Sequence, residues 1–306
     1  MRKPLKIAES ARRATLLCAI ILSVFGYAQA QSTPSGNVQP VATPSPTPKI
    51  KPSLEHEFFA NILRDQRAIW TSPFHMGRED MKWFVPLTLA TGTLLTTDIR
   101  TGRALDDNNR TRLRISRDIS WGGSFYSTGG IAAGFYLVGR ATHNSRARET
   151  GLLGMEALID SSIVVEVLKA ATQRPRPRFD NGSGEFFVSG KSFPSGHAIS
   201  AWSLATVIAH EYGRHRPAVQ IAAYGLATAV AISRYTGRNH FLGDVLVGSA
   251  LGYGIGRYVY FKHHDTSLDA DGGNSRTGAH SKLIPLIAPQ FSRAERTYAI
   301  ALRWDF

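Results

Sequence analysis

Apolar residues recur at helical spacing along most of the chain, and the polar breaks between them mark where helices start and stop. SLEHEFFANILRDQRAIW carries Leu54, Phe58, Ile62 and Ile69 near one face, which predicts an amphipathic packing helix with Ser53 as its N-cap. WFVPLTLATGTLLTTDI predicts a second helix, with Pro86 close to its start. DDNNR at 106–110 reads as a turn. The helical region from about Thr111 runs into GGSFYSTGGIAAGFYLVGR, whose glycines either split it in two or allow close packing. ETGLLGMEALIDSSIVVEVLKAAT leads to Lys169, and the prolines of RPRPR must end that helix. After the loop RFDNGSGEFFVSGKSF, further helices are expected at about His197 to Tyr212, Pro217 to Tyr235 and His240 to Tyr260.

The ends differ in character from this middle. MRKPLKIAESARR is basic, ATLLCAIILSVFGYA is apolar and Ala28-Gln29-Ala30 is a small-x-small site, so residues 1–30 read as a signal peptide cleaved before Gln31. Export to the periplasm or cell envelope follows; an uncleaved membrane anchor is the alternative. Cys18 is the single cysteine and lies in this segment, with Leu17 departing from the small residue that a lipoprotein signal requires before its cysteine. A mature chain without thiols has no disulfides and no cysteine nucleophile. Residues 31–52, rich in Pro, Ser and Thr, read as an extended disordered linker. A helical domain over 53–265 follows, then a polar linker and β-hairpin over 266–306, where KLIPLIAPQ and RTYAIALRWDF are strand-like. The alternation ending in Phe306 also looks like the last strand of an outer-membrane barrel, but one hairpin cannot close a barrel.

Composition narrows the partners. At 306 residues, 43% hydrophobic, the chain can bury one sizeable core. The net charge of +13 is scattered, with no basic run, zinc pattern or aromatic RNA-binding signature, so no nucleic-acid partner is expected. Anionic headgroups or phosphorylated substrates suit that charge at least as well. The uncharged runs 84–97, 125–139, 219–233 and 245–256 are all shorter than the roughly twenty residues that a spanning helix prefers. With Glu156, Asp160 and Glu166 inside one helix and a mean hydropathy of -0.14, a water-soluble or membrane-peripheral bundle is favoured, and association with a membrane surface stays open.

Three polar blocks interrupt the apolar pattern: Lys169-AATQRP-Arg176-Pro177, Pro194-Ser195-Gly196-His197 and Ser233-Arg234-YTGRN-His240-FLG-Asp244. They suit phosphoryl transfer, which is mostly positioning plus preorganised positive charge. Lys169, Arg176 and Arg234 supply that charge. Ser195 and Gly196 precede the apolar run AISAWSLATVIA, where a helix N-terminus aims amides and its dipole at an anion. His240 is the expected nucleophile, oriented by Asp244 one turn on, which takes the proton of one ring nitrogen. His197 is left to protonate the departing oxygen.

At these residues the chain resembles the type 2 phosphatidic acid phosphatase (PAP2) superfamily, which includes bacterial acid phosphatases and vanadium haloperoxidases. The family pattern Lys-x6-Arg-Pro, Pro-Ser-Gly-His and Ser-Arg-x5-His-x3-Asp is met at every fixed position, and the resemblance covers roughly residues 80 to 262. It implies an all-α fold, a bundle of about six helices. It also implies His240 as phosphohistidine nucleophile, His197 as general acid, and Lys169, Arg176, Ser195, Gly196 and Arg234 binding phosphate. The expected function is a metal-independent phosphatase of phosphate monoesters, among them lipid phosphates or a lipid pyrophosphate. No cofactor is expected, and vanadate should inhibit. The alternatives are a vanadate-dependent haloperoxidase, in which vanadate is the cofactor, and a silent envelope module that binds phosphate without turnover. His263 and His264 read as solvated tail histidines, and His75, His143, His210 and His215 lack partners at metal-ligand spacing, so no metal site is assigned.

Overall fold

The computed structural model describes residues 54–105, 109–179, 183–214, 216–269, 286–292 and 297–303. Expectations for the signal peptide, the linker, Ser53, Cys18 and His215 lie outside these residues. Two compact units divide the chain, one ending at His264 and the other running from Asp265 to Phe306. In the second, β1 (Leu286–Ser292) and β2 (Thr297–Arg303) pair antiparallel, with Leu286 opposite Arg303 and Ser292 opposite Thr297.

The described residues of the first unit are all-α. Its helices are α1 (Leu54–Thr71), α2 (Arg78–Arg103), α3 (Arg110–Trp121), α4 (Phe125–Ala141), α5 (Ser145–Thr172), α6 (Gly196–Gly213), α7 (Pro217–Thr236) and α8 (Leu242–His263), with a 3-10 turn at Ser72–His75. Among the described residues the eight exceed the six that the resemblance implied, partly because the glycine-rich stretch breaks. Gly122 and Gly123 end α3, and Ser124 caps α4 by accepting from Ser127 N. Pro86 lies well inside α2 rather than near its start, because Asp80 accepts the Gly77 N–H at 2.8 Å and starts the helix earlier.

The core is the seam of α5, α6 and α8. Leu153, Ala157, Val164 and Leu168 of α5 pack with Ile199 and Val207 of α6 and with Val247, Leu251, Ile255 and Val259 of α8. The α8 residues recur every four positions and form one ridge. Beside it runs a second stripe, Gly248, Gly252 and Gly256. Added methyl groups there would lie 2.6, 2.3 and 2.5 Å from the carbonyl oxygens of Ser195, Ile199 and Ser203, one turn apart on or just before α6. The two backbones therefore touch, and their register fixes Ser195 against the first turn of α8. We expect Gly252→Ala to lower stability by about 1–3 kcal/mol through overpacking. Gly225→Ala on α7, where nothing lies within 4 Å, should be neutral or stabilising, since alanine is the better helix former. Urea denaturation of the two variants checks this.

Around the seam, α4 packs on α5, α7 on α6, α3 on α7, α1 on α5 and α2 on α8. Each of the three polar blocks falls at a helix end. Block one closes α5, block two opens α6, and block three joins α7 to α8.

Candidate active site

Lys169 stands in the last turn of α5 and pairs with Glu166 at 2.8 Å. The helix stops at Thr172, with Gln173 in the left-handed region at φ 46 and its N–H on the Lys169 carbonyl. The following loop folds back on this end: Phe187 N donates to Thr172 O, Val188 N to Gln173 O and Ser192 N to Arg174 O. The Thr172 hydroxyl in turn donates to Phe193 O at 3.0 Å, fixing the chain just ahead of Pro194.

Block two enters α6 as its composition predicts. Ser195 occupies the N-cap position of a helix beginning at Gly196, but its side chain caps nothing. Its hydroxyl is buried and has no hydrogen-bond partner among the described residues. An N-cap serine would have bonded a first-turn amide. A methyl group at Gly196 would sit 3.3 Å from Lys169 Nζ, so the glycine brings the helix start against that ammonium.

Block three closes the ring. Arg234, in the last turn of α7, is buried, donates from Nη1 to Ser120 of α3, and leaves Nε without a hydrogen-bond partner among the described residues. Its carbonyl accepts both Asn239 N and His240 N, which turns the chain toward α8. Burial first, then Arg176 and Arg178, lower the Arg234 guanidinium to about 10. Burial and Arg178 likewise lower Arg176, against the pull of Asp244. Half-buried His197 is held down at about 3 by burial and then by Arg234, His240, Lys169 and Arg176. The groups pressing on it are the predicted residues themselves, so the three blocks converge.

His240 is 2% exposed and its Nδ1 lies 2.6 Å from the Ser192 carbonyl oxygen. A carbonyl can only accept, so Nδ1 carries the proton and Nε2 keeps its lone pair. Burial lowers the imidazole to about 4 despite Asp244, which keeps it neutral. The sequence expectation gave that proton directly to Asp244. In the structure Asp244 Oδ2 is 3.6 Å from Nδ1, beyond hydrogen-bond length, and is already occupied by Ser192 Oγ at 2.5 Å and Phe241 N at 3.0 Å. The Phe241 bond is an N-terminal cap of α8, so Asp244 acts on His240 through the residue that anchors it.

Three supporting residues escaped the sequence reading: Arg174, Asp98 and Ser192. Arg174 is buried and bridges Asp244 Oδ1 at 2.5 Å and Asp98 Oδ2 at 3.0 Å. Its Nε donates to Gly184 O, and its guanidinium lies over the rings of Phe186 and Phe241. Burial would raise Asp244, but Arg174 and the hydrogen bonds outweigh it and hold the carboxyl at about 2. Asp98 is lifted to about 6 by burial, against Arg174, and also accepts Gly243 N. The available signals were an acid ending an otherwise apolar helical run and an arginine inside RPRPR.

Chemically, the site offers cations, a hydroxyl without a partner among the described residues, a helix N-terminus, and two neutral imidazoles of which one has a defined free nitrogen. Residues 150–267 match the family model described as PAP2 superfamily. The chain is 37% identical over 74 residues to a lipid A 1-phosphatase of Porphyromonas gingivalis, covering 24% of this chain and 17% of that protein. It is 34% identical over 123 residues to phosphatidylglycerophosphatase B of Bacillus subtilis, covering 38% of this chain and 59% of that protein. It thus spans less than two thirds of either relative. A crystal structure of a transmembrane PAP2-type phosphatidylglycerolphosphate phosphatase from Bacillus subtilis aligns over 73% of this chain and 98% of its own, at 22% identity and a TM-score of 0.41. The stretch that matches this family model contains all three polar blocks, from Lys169 to Asp244.

Proposed function

We propose that the chain is a metal-independent phosphatase of lipid phosphates, working through a phosphohistidine on His240. The observation that carries this is the Ser195 hydroxyl, buried without a partner at the start of α6 beside Lys169. A buried orphan hydroxyl costs free energy unless a ligand satisfies it, and the cations around it select an anion. In the first step His240 Nε2 forms the N–P bond as the P–O bond to the lipid alcohol breaks, and His197 gives that oxygen its proton. Water then attacks the phosphohistidine, His197 takes its proton, and orthophosphate leaves. Burial and then the surrounding cations depress His197, and a bound phosphate dianion offsets the cations and raises its affinity for a proton.

The two named relatives act on lipid phosphates by their titles, which supports a lipid leaving group here. So does the surface. Trp83, Tyr126 and Ile221 are 81%, 84% and 74% exposed, with Phe74, Leu89 and Leu226 also in solvent, an apolar complement suited to a membrane face. No helix among the described residues is long and apolar enough to cross a membrane.

Hydrolysis of phosphatidic acid, an isoprenoid pyrophosphate and soluble monoesters in excess EDTA tests the reading. Activity should persist in chelator, favour a lipid substrate and fall with vanadate, which adopts the geometry of the transition state. Loss of activity in chelator while the fold is retained, restored by Mg or Zn, would overturn it.

A further inference from the structure

Glu156 lies thirteen residues before Lys169 on α5, about 20 Å along the axis at 1.5 Å per residue. There the bundle buries a second set of ionisable groups. Asp65 of α1, Glu156 and Asp160 of α5 and His263 of α8 meet; His263, expected to be solvated, has a side chain only 10% exposed. His263 Nε2 is 3.0 and 2.9 Å from the two Asp65 oxygens and 3.4 Å from Glu156 Oε1. Tyr258 OH donates to Asp65 Oδ1 at 3.1 Å, and Gln66 Nε2 to Asp160 Oδ1 at 2.9 Å. Glu156 Oε1 and Asp160 Oδ2 are buried with no hydrogen-bond partner among the described residues.

Charge balance separates this cluster from its neighbour. Glu149, Glu211 and His264 also meet, but there His264, lowered by burial, is raised to about 10 by the two glutamates, and Arg146 adds a second cation. Two acids face two cations. At Asp65 three acids face one imidazole, and Arg64, whose field reaches Glu156, is exposed and bonded to Glu57 and Asn61. Such an excess of buried carboxylates is stable only with a proton or a cation among them.

We propose that Asp65, Glu156 and His263 hold one divalent cation of the Zn2+ class, clasping α1, α5 and α8 together away from the phosphate pocket. Their ligand atoms lie within 4.8 Å of one another. An ion with bonds of about 2.0–2.2 Å holds adjacent ligands about 3.3 Å apart, close to the spacings from Nε2. One imidazole with carboxylates suits Zn2+ better than Mg2+ or Ca2+, which prefer oxygen alone. Tyr258 and Gln66 orient Asp65 and Asp160 from behind.

The test uses the full chain, stripped with chelator, exchanged into metal-free buffer and titrated with Zn2+ alone. One Zn2+ per chain should bind, and Tm should rise by roughly 5–10 °C at free Zn2+ a hundredfold above Kd. Glu156→Gln, isosteric and relieved of a buried acid, should fold but lose both the binding and the rise, whereas Glu149→Gln should keep them. Phosphatase activity below Tm should not change with Zn2+, which separates this site from the pocket at His240. No Zn2+ retained and no rise in the wild type, or a rise preserved in Glu156→Gln, overturns the proposal.

Discussion

His240→Ala will form no phosphoenzyme with any substrate, and its turnover will fall by roughly 10⁴-fold or more. Of the two histidines in the polar blocks, His240 has its Nδ1 held at 2.6 Å on the Ser192 carbonyl, which leaves the lone pair on Nε2. His197→Ala should behave in the opposite sense. Its nucleophile is intact, and nitrophenol needs little protonation on leaving, so the first step survives while activation of water is slowed. Phosphohistidine should accumulate, with turnover lower by about 10²–10⁴-fold. Rapid quench, trapping of acid-labile phosphate and peptide mapping decide the matter. Label on His197, or equal labelling of wild type and His240→Ala, would reverse or abolish these roles.

The second large effect is structural. Arg174→Met leaves Asp98 and Asp244 facing each other in the interior, and breaking a buried pair in this way costs about 3–5 kcal/mol. Tm should drop by roughly 6–20 °C for a domain of this size. Asp98→Asn in the Arg174→Met background should recover part of the loss, because one of the two stranded charges is removed. A double-mutant cycle by thermal and urea denaturation measures the coupling, and additive effects would refute the shared network. Asp98 also gives a pH signature. Its folded carboxyl sits at about 6, above the 3.8 of the free group, so its contribution is full below pH 3.8 and is lost as pH rises to about 6. Asp98→Asn should flatten the stability profile across that window.

Much of the site was legible in the sequence because its chemistry is local. Lys169 and Arg176 flank a helix that ends at prolines, and Ser195 and Gly196 mark the start of an apolar helix, but His240 stands ahead of Phe241, the N-cap of α8, so its spacing of four to Asp244 is not a helical turn. Spacing along a helix constrains such residues before any tertiary contact forms. The helical class followed from periodicity in the same way, and the stop before Pro175 from the backbone limits of proline, whereas the glycine-rich stretch left a break and close packing both open.

What joins distant segments was decided by the tertiary structure. The proton of His240 goes to the carbonyl of Ser192, 48 residues away, since a backbone acceptor has no side-chain signature. Arg174 found Asp98 and Asp244 across gaps of 76 and 70 residues. In a sequence, an arginine beside prolines and an acid at a helix end look like solvated charges. The glycine stripe of α8 gained its meaning only from the carbonyls of α6, and His263 was read as solvated until α1 and α5 enclosed it. Periodicity along one helix reports which face is apolar, but not which buried charge lies opposite. That depends on how the helices are brought together, and the cost of leaving a buried polar group unpaired sets the pairing.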